Sequence, residues 1–180
     1  GTLDDSVAEL AIGFMLSLAR RIPEADCMVK HAQWGAKAGF ELQGKTLAII
    51  GFGKIGRKVA AIAKNGFGMK INAFDLYLQN NEANLAILSD SFEECVKDAD
   101  FVSLHMPMNQ ENFSFINEKR LKMMKRNAFL INTARGKVID EDALYNAVSA
   151  GEIAGAALDV YHNEPYLPSG TKDLRELPNV

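Results

Sequence analysis

Short apolar runs alternate with longer amphipathic stretches along the chain. Val7, Leu10, Phe14 and Leu18 recur at helical spacing, which predicts a helix from about Val7 to Arg20. Ser6-Val7-Ala8-Glu9 before it reads as a capping box, with each side chain satisfying a free backbone N–H. Residues 23–34 read as a second, more polar helix ending near Trp34. From Lys45 the rhythm changes. Thr46-Leu47-Ala48-Ile49-Ile50 is a short, nearly continuous apolar run, the pattern of a strand covered on both faces. A glycine-rich turn and a helix over Lys54–Asn65, closed by Gly66, follow. Further strands are predicted at Ile71–Asp75, Asp100–His105, Ala128–Asn132 and Gly155–Val160. Helices between them start at the Ser91 cap, at Asn117 and at the Asp140 cap, where Ile139 and Leu144 are placed as a hydrophobic staple. The tail from Glu164 to Val180, rich in Pro and Gly, reads as loop. Strands and helices in alternation predict an α/β fold, a doubly wound parallel sheet with helices on both faces.

Composition narrows the function more than the fold. The chain has 180 residues, enough for one domain with its own core, and no internal repeat. Its formal charge of −3 is spread without a basic patch, which argues against nucleic acid as a partner. No apolar run is long enough to cross a membrane. Cys27 and Cys95 fit no zinc spacing and read as free thiols in a reducing cytoplasm, so no metal is expected. The chain begins at Gly1 rather than Met, as a fragment or processed chain would.

Gly51-Phe52-Gly53-Lys54-Ile55-Gly56 matches G-x-G-x-x-G. The hexapeptide alone is weak, but it follows a predicted strand and opens a predicted helix. Asp75 then ends the next strand at the expected distance of about 20 residues. This is the Rossmann-type dinucleotide fingerprint. Gly51 permits the tight turn, Gly53 lets a pyrophosphate approach the backbone, and Gly56 lets the helix pack on the strand. Free N–H groups near Lys54 and Ile55 would face the phosphates. The Asp75 carboxylate would accept from the ribose hydroxyls and repel a 2′-phosphate, which favours NAD over NADP.

Three further blocks carry a resemblance. Phe129-Leu130-Ile131-Asn132-Thr133-Ala134-Arg135-Gly136 with Val138–Leu144 is one; Ser103-Leu104-His105-Met106-Pro107 is the second; Gly155–Val160 with Asn163-Glu164-Pro165 is the third. In their order and spacing along the chain they resemble the D-isomer-specific 2-hydroxyacid dehydrogenases over essentially the whole chain. Within that family, Ser6–Gly13 and Gly39–Lys45 look most like D-3-phosphoglycerate dehydrogenases, enzymes of serine synthesis. Glyoxylate or hydroxypyruvate reductases share most of the blocks. The NADH-sensing C-terminal-binding protein corepressors share the fold and keep the same residues.

The resemblance implies a catalytic arginine at Arg135 and a catalytic glutamate at Glu164. A guanidinium suits a 2-oxo acid because it grips a carboxylate through two parallel hydrogen bonds. A carboxylate suits the neighbour of a proton-donating histidine, whose pKa it raises and whose tautomer it fixes. By resemblance Asp159 holds the nicotinamide end of the cofactor, Thr133 and Ala134 line the same pocket with Arg135 among the cofactor contacts, and His105 and Pro107 border it. The bland readings are a turn arginine for Arg135, a solvated loop acid for Glu164, a packing residue for His105 and a turn cap for Asp159. The family's proton donor is a histidine in a Pro-His-Ile type segment just after a motif like Leu177-Pro178-Asn179-Val180. His31, His105 and His162 lie in no such segment. The chain is therefore expected to be the NAD-binding domain, residues 1–180, of a larger enzyme whose substrate domain lies outside it. It is not expected to turn over alone, and a homodimer through the first helix and the Trp34 segment is expected. Two departures stand out: Asn112 in place of a small hydroxyl residue, and Phe113-Ser114-Phe115 in place of a more polar or glycine-containing stretch.

Overall fold

A computed structural model describes residues 3–35, 38–77, 84–168 and 170–180. Two helices, α1 (Asp4–Arg20) and α2 (Ile22–Lys30), precede β1 (Thr46–Ile50) and α3 (Lys54–Phe67). Then come β2 (Lys70–Phe74), β3 (Ile87–Leu88), α4 (Phe92–Val96), β4 (Phe101–Leu104) and α5 (Glu118–Leu121). β5 (Phe129–Asn132), α6 (Glu141–Ser149) and β6 (Gly155–Leu158) complete the set. The six strands form one sheet in the order β3-β2-β1-β4-β5-β6, and every pairing is parallel. The chain leaves β1 toward β2 on one side and returns to β4 on the other, so the switch point lies between β1 and β4.

Alternation along the strands divides the core. On β1, Ala48 and Ile50 face a cluster with Val102, Leu104 and Leu130, covered by α4, α5 and α6. Leu47 and Ile49 face the other cluster, with Ile71, Phe101 and Ile131, covered by α1 and α3. The Phe40, Phe101 and Phe129 rings pack together there at centroid separations of 5.7–6.0 Å. Ile139 and Leu144 are both buried, as a staple around the start of α6 requires.

Several boundaries differ from the sequence reading. α1 begins at Asp4, because Asp4 and Asp5 favour the positive helix start. Ser6 therefore lies inside the helix, and its hydroxyl donates to Leu3 O rather than forming a capping box. The core face of α1 is Ala8, Ala11, Ile12, Met15 and Ala19, and its three alanines let α3 approach; Val7, Leu10, Phe14 and Leu18 are only half-buried. α2 ends at Lys30, short of Trp34. α3 runs through Gly66 to Phe67, and Gly68, at φ 62°, takes the left-handed cap. α5 is a single turn. The strands stop short of Asp75, His105, Asp159 and Val160. β3 went unread because it is two exposed residues, and the tail contains a 3-10 turn at Leu174–Glu176. Among the described residues no helix is long and apolar enough to cross a membrane.

The two N-terminal serine and aspartate readings separate experimentally. Asp140 accepts from Ala143 N at 3.0 Å, so Asp140→Ala should cost about 1 kcal/mol in urea unfolding. Ser6→Ala, which removes no cap, should stay within about 0.5 kcal/mol.

Candidate functional site

Register brings the site together. Phe74, Ile50, Leu104, Asn132 and Leu158 stand in one row across the sheet and are the last residues of their strands. The ladder continues one residue further through Gly51 N to Phe74 O, His105 N to Ile50 O and Asp159 N to Asn132 O. Asp75, Gly51, His105, Thr133 and Asp159 therefore form the next row, along the carboxyl edge. Five candidate residues scattered between positions 51 and 159 thus share one edge because five strands end level.

At the switch point the glycine turn has the geometry its motif requires. Gly51 sits at φ 93°, and a Cβ there would lie 2.7 Å from the His105 carbonyl carbon. A Cβ on Gly56 would fall on Gly51 O. Gly53 is the opposite case: a Cβ there would meet nothing, so the space beside the tip of α3 is open. Phe52 between them is buried. Its N–H donates to Asp75 Oδ2 (2.8 Å) and its carbonyl accepts from Arg57 Nε (3.1 Å). Asp75 Oδ1 accepts from Tyr77 N (2.9 Å). A carboxylate has about four acceptor positions, so Asp75 keeps capacity for further donors. α4, α5 and α6 are each capped by a side chain, whereas α3 is not. Its first N–H groups, around Lys54 and Ile55, thus remain available to an anion.

His105 is partly buried, with Nε2 hydrogen-bonded to Ser103 Oγ (2.9 Å). Desolvation pushes its imidazole down to about 4, so it is neutral at physiological pH. The following loop is pinned by Asn112, which donates from Nδ2 to Pro107 O (2.9 Å). Ser114, in the departing Phe113-Ser114-Phe115 stretch, takes the left-handed φ of 47°. Phe115 is buried beneath the Arg120 guanidinium at 3.7 Å, and Phe113 packs edge-on against the His162 ring.

The second half of the site follows β5. Buried Asn132 shapes the turn: Oδ1 accepts from Ala134 N and Nδ2 donates to Arg135 O, both at 3.0 Å. Thr133 Oγ1 is the buried side-chain polar atom that lacks a partner among the described residues. Gly136 presses on the 161–162 backbone so closely that a Cβ would coincide with Tyr161 O. This contact sets Arg135 beside Glu164: both line a cleft of about 450 Å³ with Met108, Lys137 and His162. They form no ion pair with each other. Arg135 Nη1 donates to Ala134 O (2.7 Å), and Glu164 Oε1 accepts from Tyr161 N (3.1 Å). Thr133 and Asp159 stand in the edge row rather than in the cleft wall. Asn132 and Gly136 are positioning residues that chemistry-first reading passes over, since neither can titrate. Among the described residues no group of three or more His, Cys, Asp or Glu could hold a metal. Burial pushes the Cys95 thiol up to about 12, so it stays protonated.

Residues 12–180 match the profile described as the NAD binding domain of D-isomer specific 2-hydroxyacid dehydrogenases. The chain belongs to that family. This dehydrogenase domain is 44% identical over 191 residues to a glyoxylate reductase of Thermococcus litoralis, a match covering 100% of the chain and 56% of that protein. It is 44% identical over 164 residues to a D-3-phosphoglycerate dehydrogenase of Methanocaldococcus jannaschii, covering 89% of the chain and 31% of that protein. A solved D-lactate dehydrogenase from Aquifex aeolicus, complexed with NAD and lactic acid, superimposes with a TM-score of 0.82 at 37% identity. That match covers 89% of the chain and 49% of the other. The chain spans about half the length of the glyoxylate reductase it matches. The cofactor of the dehydrogenase domain is NAD, and the uncapped α3 tip, the open face of Gly53 and the unpartnered Thr133 hydroxyl fit such a ligand.

An unpaired buried hydroxyl costs about 1–3 kcal/mol. Thr133→Val should therefore leave unfolding stability unchanged or raise it by about 1 kcal/mol, while weakening NAD binding in calorimetric titration.

Proposed function

We propose that the chain is the cofactor half of a cytoplasmic enzyme that moves hydride between NAD(H) and a short 2-hydroxy or 2-oxo acid of the glyoxylate or hydroxypyruvate class. The observation that carries this reading is the pairing of two sites on one sheet edge: the uncapped tip of α3 facing Asp75, and the cleft holding Arg135 and Glu164. When bound, the nicotinamide supplies or accepts the hydride. Lys54, Ile55 and the glycines hold the pyrophosphate; Asp75 holds the ribose; Thr133, Ala134, Asp159, His105 and Pro107 border the cofactor. Arg135 has one Nη committed to Ala134 O, which leaves its Nε and other Nη edge for a substrate carboxylate. Glu164 orients and raises the basicity of the histidine that exchanges a proton with the substrate oxygen in the complete enzyme.

A phosphorylated three-carbon acid is the second reading. Lys137 stands beside Arg135 in the cleft wall; its backbone carbonyl accepts from Ser114 N, while its Nζ makes no hydrogen bond or ion pair among the described residues and offers a further cation. Likeness to the D-3-phosphoglycerate dehydrogenase supports the same substrate. Assay of the enzyme carrying this chain should show NADH oxidation with glyoxylate or hydroxypyruvate in preference to NAD reduction with 3-phosphoglycerate. The reverse preference selects the second reading, and inactivity on every 2-oxo and 2-hydroxy acid rejects both. Asp75→Asn should weaken NAD binding roughly tenfold, the loss of about 1.4 kcal/mol.

We also propose a homodimer. The half-buried stripe Val7, Leu10, Phe14 and Leu18 of α1, with exposed Val29 and Trp34, supports a second copy as its cover. Light scattering at micromolar concentration should give twice the chain mass; a monomer contradicts it.

A further inference from the structure

Tyr77 and Glu111 take no part in the site as derived above, yet they meet over it. β2 and β4 each pair with β1 and not with each other. Their carboxyl-end loops therefore flank the glycine turn, about 10 Å apart. Tyr77 lies on the β2 side, three residues beyond the strand, and its backbone N–H is fixed on Asp75 Oδ1. Glu111 lies on the β4 side, in the loop that Asn112 pins to Pro107 and Asn109. The Tyr77 hydroxyl donates to Glu111 Oε2 at 3.3 Å. A continuous link, Asp75 to Tyr77 to Glu111, thus runs from one wall of the crevice to the other.

Two properties of the link bear on the ligand. Tyr77 is 77% exposed, so the phenol is held by this contact rather than by packing. The Glu111 carboxylate has no cation beside it among the described residues, so its charge is uncompensated. With Asp75 on one wall and Glu111 on the other, the adenosine end of the crevice is flanked by two carboxylates. A neutral ribose hydroxyl is indifferent to the second charge, but a 2′-phosphate is a dianion and is not.

We infer that Glu111, positioned by Tyr77, is a second determinant of dinucleotide choice that disfavours a 2′-phosphate from the wall opposite Asp75. The inference rests on the nucleotide crevice described above. A single carboxylate about 10 Å from a dianion in a watery crevice changes affinity roughly fourfold at low salt. Screening removes most of that at high ionic strength.

Titration calorimetry of the chain with NAD and NADP, at low and high ionic strength, tests it. Glu111→Gln should tighten NADP roughly fourfold at low salt, leave NAD within about twofold, and lose the effect at high salt. Tyr77→Phe keeps the carboxylate but frees it, and should give a smaller shift in the same direction. An unmoved NADP-to-NAD ratio in Glu111→Gln overturns the inference, as does an equal change for both ligands. A ratio that shifts in Glu111→Gln but not at all in Tyr77→Phe overturns the positioning role of Tyr77. Failure of the unsubstituted chain to bind either dinucleotide overturns the crevice itself, and this inference with it.

Discussion

Leu47, Ala48, Ile49 and Ile50 are all withdrawn from solvent, and a strand so placed needs helices on both faces and hydrogen-bonded neighbours on both edges. That requirement organises the rest of the molecule. Crossovers to β2 and β4 must leave in opposite directions, which opens a crevice above the carboxyl end of β1. The helix that follows β1 must start in that crevice. A helix start directed into a crevice and left without a side-chain cap is an anion site by construction.

Within this frame a few polar side chains act as fasteners. Asp75 ties β2 to the glycine turn through Phe52 N. Asn132 closes the turn after β5 with two hydrogen bonds and is itself fully buried. Such groups hold shape, and they leave the candidate reactive side chains exposed: Arg135 and Glu164 are both open to solvent and bound only to nearby backbone. Among the described residues Thr133 is the fastener left open, its hydroxyl buried and unmatched.

The order of strands and helices and the glycine fingerprint were legible in the chain because they rest on local rules. Four apolar residues in a row, a turn glycine and a helix cap each speak within a few positions. Segments whose fate depends on distant packing were harder to read. Ser6 looked like a cap, but Asp4 and Asp5 start the helix a turn earlier. Gly66 looked like a stop, yet one glycine in an otherwise sound helix is tolerated at a cost of about 1 kcal/mol, and Gly68 takes the cap instead. The apolar stripe read on α1 was its half-covered flank, since the small residues beside it let α3 come closer. In the candidate site, the residues singled out from sequence were those with recognisable chemistry. Asn132, Gly136, Tyr77 and Glu111 were not among them, because their importance comes from which backbone or loop they meet across the sheet.

The contact at Gly136 joins two stretches that lie far apart in the chain. Backbone touches backbone there, with no side chain between to flex. The segment bearing the guanidinium and the segment bearing the carboxylate of Glu164 thus form a single rigid jaw. Such a jaw does not adapt its width to its guest. On the proposed reading, adjustment to a bulkier acid would fall to the replaceable side chains at its rim, Met108 and Lys137, while the backbone contact stays as it is.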